Sequence, residues 1–141
     1  MKRRTAVVAA AITAAMMAST GAYAETVSIK TFLDGQTEVP AVTTPATGTA
    51  DVTIDTEAKK VSWTITYKDL SGTATAAHFH GPAAKGANAG VEIPIPVAAS
   101  PIEGSATVTD AQLADLLTNK TYINIHSAAH PGGEIRGYLT K

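Results

Sequence analysis

Beyond the first two dozen residues, apolar side chains recur at every second position. Val61, Trp63, Ile65 and Tyr67 alternate with Ser62, Thr64, Thr66 and Lys68, and Ala50, Val52 and Ile54 alternate with Asp51, Thr53 and Asp55. Val27, Ile29, Thr31 and Leu33 share a face in the same way. Successive side chains on a strand point to opposite faces, so this pattern puts one face into a core and leaves the other wet. Antiparallel sheets covered on one side are built this way. Further strands are expected over residues 75–80, 91–97, 103–108, 122–126 and 134–139. Residues 55–60 read as a hairpin turn, and 36–48 and 85–90 as loops rich in Pro or in Gly and Asn. Pro94 and Pro96 cannot donate to a ladder, which sends their strand to an edge. One helix is expected, with Thr109 and Gln112 as a capping box and Leu113, Leu116 and Leu117 on one face. The expected fold is all-β, an antiparallel Greek-key sandwich or barrel of about eight strands with one short helix.

Residues 1–24 read as a cleaved signal peptide. Lys2, Arg3 and Arg4 precede an apolar run from Ala6 to Ala18 broken by Thr13, and Ala22-Tyr23-Ala24 is a small-x-small cleavage site. The apolar run is short for a membrane span. Cleavage leaves residues 25–141 as a single domain, with a periplasmic or secreted location. Without those three basic residues, the 11 Lys and Arg become 8 against 12 Asp and Glu, a net charge of −4. Such a balance disfavours nucleic acid and anionic lipid as partners. There is no cysteine, so an exported chain must hold itself together by packing, or by metal, without a disulfide. All three methionines, Met1, Met16 and Met17, lie in the expected signal peptide.

The four histidines fall into two tight groups, His78-Phe79-His80 and His126-Ser127-Ala128-Ala129-His130. A neutral imidazole is the commonest protein ligand for transition metals, and imidazoles without thiolate suit copper or zinc. His78 and His80, two apart on a strand, share a face, with Phe79 turned to the core. By the same rule Ile123 and Ile125 face the core while Tyr122, Asn124 and His126 face outward. If the strands of His80 and His126 are neighbours, three imidazoles meet on the outer wall. His130 precedes Pro131-Gly132-Gly133, which disfavours helix. It is read as a loop residue that either swings in as a fourth ligand or stays in solvent. A lone exposed histidine is usually just a polar surface residue, and that reading stands beside the metal one.

Other polar residues yield no catalytic assignment. Glu134, Arg136 and Tyr138 share the outward face of the last strand. Arg136 either pairs with Glu134, Glu92 or Glu38 as an exposed contact of little energetic consequence, or attracts a small anion. Ser127 adjoins His126, but sequence adjacency does not make a catalytic pair. Asp110 suits the first turn of the helix, and Asp115 is expected on its solvated face.

Several segments together resemble the CHRD (chordin-type) domain family, as a bacterial single-domain member. They are Leu33-Asp34-Gly35-Gln36-Thr37-Glu38-Val39-Pro40, Gly48-Thr49-Ala50, Ala77-His78-Phe79-His80-Gly81-Pro82-Ala83, Tyr122-Ile123-Asn124-Ile125-His126 and Pro131-Gly132-Gly133-Glu134-Ile135-Arg136-Gly137. In animal chordins such domains accompany growth-factor-binding modules. A more distant likeness is to the copper half of Cu,Zn superoxide dismutases, which implies copper at His78, His80 and His126. The zinc loop and the two cysteines of that family are missing, and Glu134 falls near the place of its active-site arginine, with Arg136 two residues on.

Three functions are compatible with these features. The first is an exported copper-binding protein that buffers copper, confers tolerance or transfers the metal to a protein partner, with zinc the less favoured ion. The second is a copper-dependent redox enzyme acting on superoxide or a related small oxidant. The third is an envelope protein-interaction module without metal, contacting through the loops 36–47 and 85–90.

Overall fold

The computed structural model describes residues 24–141. The expected signal peptide therefore lies, apart from Ala24, outside the described residues. The alternating segments become eight strands: β1 (Thr26–Asp34), β2 (Thr47–Asp55), β3 (Lys60–Lys68), β4 (Ala74–His80), β5 (Val91–Ile95), β6 (Ile102–Thr107), β7 (Tyr122–Ser127) and β8 (Ile135–Tyr138). A single helix, α1 (Asp110–Leu117), precedes β7. All strand pairs are antiparallel. They form one sheet in the order β5-β4-β7-β8-β1-β2-β3-β6, curled into a nearly closed barrel. β1, β2 and β3 run as a meander, and the chain then crosses to begin β4 beside the place that β7 later fills. β8 enters last, between β7 and β1, and its pairing with β1 is confined to Asp34 and Arg136.

The barrel interior collects one face of every strand. Ile54, Ile65, Phe79, Ile123, Ile125 and Ile135 are fully buried there, each such side chain stabilising the fold by about 1.5–3 kcal/mol. Trp63 and Phe79 meet edge to face with ring centroids 5.3 Å apart, which joins β3 to β4 across the core. The helix starts where its capping box requires. The Gln112 N–H donates to Thr109 Oγ1 at 3.2 Å, and the Thr109 N–H donates to Gln112 Oε1 at 2.9 Å. Leu116 is buried, and Leu113 and Leu117 pack half-buried on the core. No helix among the described residues is long and apolar enough to cross a membrane.

β5 lies at a sheet edge, as its prolines predict. Its apolar ends do not reach the core, however: Val91 and Val97 are exposed, because the strand stops at Ile95 and Val91 has passed the register shift at Phe79/His80. Asp115 is half-buried on the helix. It stands beside Glu92, whose carboxyl is pushed up to about 7 by burial first and by Asp115 second.

The larger departure concerns the outer face of β7 and β8. Tyr122, Asn124, Glu134 and Arg136, expected to be wet, are all buried. The loops 35–46, 81–90 and 128–134 fold over that face and replace water. Glu134, just before β8, ties three segments together. Its Oε1 accepts from Thr44 Oγ1 (2.6 Å), Ser71 Oγ (2.7 Å) and the Ser71 N–H (2.9 Å), and its Oε2 accepts from Ser127 Oγ at 2.5 Å. Burial alone would raise this carboxyl, but the four donors outweigh it and hold the group at about 2.

A depressed carboxyl contributes stability above its unfolded value, 4.5, and loses it as pH falls towards 2. Glu134→Gln should therefore cost about 3 kcal/mol near neutrality. It should also flatten the loss of stability between about pH 4.5 and pH 2. Urea denaturation at pH 6.5 and pH 3 checks both; equal losses in variant and wild type on acidification would contradict this role.

Candidate metal centre

The antiparallel register of β4 on β7 brings the histidines together. Ala76 pairs with His126, His78 with Asn124 and His80 with Tyr122. Because Ala77, Phe79, Ile123 and Ile125 take the core face, His78, His80 and His126 must share the opposite one. One ligand atom from each of these three lies within 4.8 Å of the others. The rings sit close, with centroids 5.3 Å apart for His78 and His80, 5.1 Å for His78 and His126, and 6.1 Å for His80 and His126.

Backbone carbonyls set the tautomers. His80 Nδ1 lies 3.0 Å from the Ala89 oxygen, and His126 Nδ1 lies 2.8 Å from the Pro131 oxygen. A carbonyl can only accept, so both Nδ1 atoms carry the hydrogen and both Nε2 atoms offer a lone pair in the neutral rings. Ligating histidines in metalloproteins are held in this way by their second nitrogen. His78 Nδ1 approaches His126 Nε2 at 3.2 Å and donates to it when both rings are neutral. A metal ion would take the place of that hydrogen. His80 Nε2 is buried and has no partner among the described residues. An orphan acceptor beside two more imidazoles fits an ion of the kind that nitrogen ligands hold at about 2.0–2.1 Å. A tetrahedral site of such bonds has ligand atoms about 3.4 Å apart, so the rings would draw in somewhat on binding.

The surroundings are polar, and most of their charged atoms are paired with one another. Arg136 is buried, and so is Glu38, at 2% and 5% exposure. Arg136 Nε donates to Glu38 Oε2 at 2.9 Å, and Nη2 forms an ion pair with the same oxygen at 2.8 Å. Nη1 reaches the Ala87 oxygen at 3.3 Å, and Nη2 reaches Asn88 Oδ1 at 2.7 Å. The guanidinium also lies 3.9 Å from the centre of the Tyr122 ring, on which His80 stacks at 4.9 Å. The expected exposed Arg–Glu contact is thus a buried one, with Glu38 as the partner through Oε2, while Glu38 Oε1 is buried without a hydrogen-bond partner among the described residues. Burial pushes the Glu38 carboxyl above its ordinary value, against the pull of Arg136.

His130 lies elsewhere. It sits half-buried in the loop after β7, with its N–H bonded to the Ser127 oxygen, and lines an open cavity of about 450 Å³ together with Glu38, His80, Tyr122 and Arg136. It is not among the three clustered imidazoles. The covering residues Glu38 and Asn88 and the Glu134 anchor are what the sequence alone leaves least visible, because a face under loops and a face under water show the same alternation.

Three imidazoles converging on the wall of a β-barrel, two with their tautomers fixed, define a candidate three-histidine metal centre. The chain belongs to the CHRD domain family, whose model matches residues 29–139. No curated protein and no solved structure matches it.

Burial lowers the His78 and His80 rings below their ordinary 6.5, and neighbouring imidazoles add to the effect. In the metal-free protein both rings should therefore stay neutral until the pH drops below about 6.5. Nuclear magnetic resonance titration of their ring protons reads this directly; midpoints above 6.5 would contradict the packing described.

Proposed function

We propose that this protein is an exported copper-binding protein that holds the ion on His78, His80 and His126 and buffers it or passes it to a partner. The observation that carries this reading is the pair of backbone carbonyls on the Nδ1 atoms of His80 and His126, which leaves both Nε2 lone pairs for an ion. Copper is favoured over zinc because the ligand set is imidazole without thiolate or a neighbouring carboxylate ligand, and copper stands above zinc in affinity for nitrogen sites. The likeness of His78-Phe79-His80 and His126 to the copper half of the dismutases points the same way. Export is inferred from residues 1–24, and His130, which lines the same cavity as His80, is a candidate accessory ligand.

Redox turnover on superoxide is the less supported reading. Steering an anion needs an uncompensated positive group. Arg136, the basic residue nearest the site, spends its donors on Glu38, Asn88 and Ala87.

Residues 25–141 should take up one equivalent of Cu(II), with nitrogen couplings from several imidazoles in electron paramagnetic resonance. The double variant His78→Ala, His80→Ala should lose affinity by more than about 100-fold, since outer-shell losses alone cost 10–100-fold. Equal affinity in the double variant would remove the assignment. A folded wild-type protein with no stoichiometric copper would favour an interaction module.

A further inference from the structure

Asn124 is a polar side chain in the middle of this site. It lies on β7 directly opposite His78 and two residues before His126, on the face that carries the three imidazoles. Directly opposed side chains on antiparallel strands stand about 4.5–5.5 Å apart at Cβ. Asn124 is 1% exposed, and its Oδ1 has no hydrogen-bond partner among the described residues. A buried amide oxygen left in this way is costly, and native structures rarely keep one without a use.

The charge of Glu38 settles which way the amide points. Glu38 Oε2 is taken by Arg136, and Oε1 has no partner of good geometry. The Asn124 amide lies against this carboxylate: a methyl group added at Gly133 would stand 2.5 Å from Glu38 Oε1 and 2.6 Å from Asn124 Nδ2. A carboxylate repels a carbonyl oxygen and attracts an amide N–H. The Nδ2 end is therefore held towards Glu38, and Oδ1 is turned to the opposite side, where Asn124 meets the His80 ring.

The His80 nitrogen on that side is Nε2, also buried and unpartnered, and its Nδ1 hydrogen is committed to the Ala89 oxygen. Two buried, unpartnered acceptors, an imidazole lone pair and an amide oxygen, thus stand beside two further imidazoles. The complement of such a set is a cation.

We propose that Asn124 Oδ1 is a fourth, oxygen donor to a divalent ion held by His78, His80 and His126, oriented through its amide by the buried Glu38–Arg136 pair. This rests on the metal-binding reading above and extends its ligand set to three nitrogens and one oxygen. A carbonyl oxygen is a harder donor than an imidazole or a thioether. The site is accordingly matched to Cu(II) or Zn(II) rather than to Cu(I).

The test compares Asn124→Ala and Asn124→Asp with wild type, using Cu(II), Zn(II) and Cu(I) as probes against competing chelators. Asn124→Ala should bind both divalent ions on the order of 10–100-fold more weakly and leave Cu(I) affinity little changed. Its Cu(II) resonance should keep the imidazole nitrogen couplings while the parallel g and hyperfine values shift. Asn124→Asp, which restores an oxygen donor in the same shape, should recover divalent binding. Should the alanine variant fail to fold, the aspartate variant carries the test: its carboxylate oxygen should change the parallel g and hyperfine values of the Cu(II) resonance, and an unchanged spectrum would overturn the role of Asn124. Unchanged affinities and spectra in a folded variant, with wild type binding Cu(II), would overturn the role of Asn124 and leave the three-histidine site intact. Failure of wild type to bind any of the three ions would overturn both.

Discussion

A one-residue slip between β4 and β7 would destroy the site and the core together. The side-chain period of a strand is two, so such a slip turns every residue to the opposite face. Ala77, Phe79, Ile123 and Ile125 are buried at 1% exposure or less, and their burial fixes the register in which Ala76 meets His126 and His78 meets Asn124. The apolar core therefore positions the three candidate ligands from the opposite face of the sheet. The helix, the hairpins and the β-edge matter to function chiefly by holding this one strand pair in place.

The second determinant is a buried polar layer outside the barrel. Two carboxylates organise it by different means. Glu134 is met by neutral hydroxyls and an amide from Thr44, Ser71 and Ser127, which pin the loops to the start of β8. Glu38 is met by the guanidinium of Arg136, which also spans to Asn88 and the Tyr122 ring. Removing one partner of such a pair strands the other in a dry setting, which costs far more than the net value of the pair. The layer makes the imidazoles half-buried or buried rather than fully exposed, and it gives His80 and His126 their carbonyl partners at Ala89 and Pro131.

Much of this was legible in the sequence. Period-two alternation gives the eight strands, Thr109 and Gln112 give the helix start, and Pro94 and Pro96 give the edge. His78, His80 and His126 follow from alternation together with the neighbouring of two strands, which the sequence allows but does not require. What alternation cannot distinguish is water from a covering loop. Tyr122, Asn124, Glu134 and Arg136 therefore read as wet when they are buried, and the partners of Arg136 and Glu134, which lie 98 and up to 90 residues away, leave no local trace. Val91 and Val97 continue the alternation of Ile93 and Ile95 in the sequence but are exposed, because β5 stops at Ile95 and a register shift separates Val91 from the rest of the pairing.

The metal-binding proposal places one ion among His78, His80 and His126 on the outer face of β4 and β7. Anomalous diffraction at the copper edge from crystals of residues 25–141 loaded with one equivalent of Cu(II) tests it most directly. A single strong peak within bonding distance of all three imidazoles is expected. A peak at His130 or at surface carboxylates, with the three rings left in mutual contact and without metal, would contradict it.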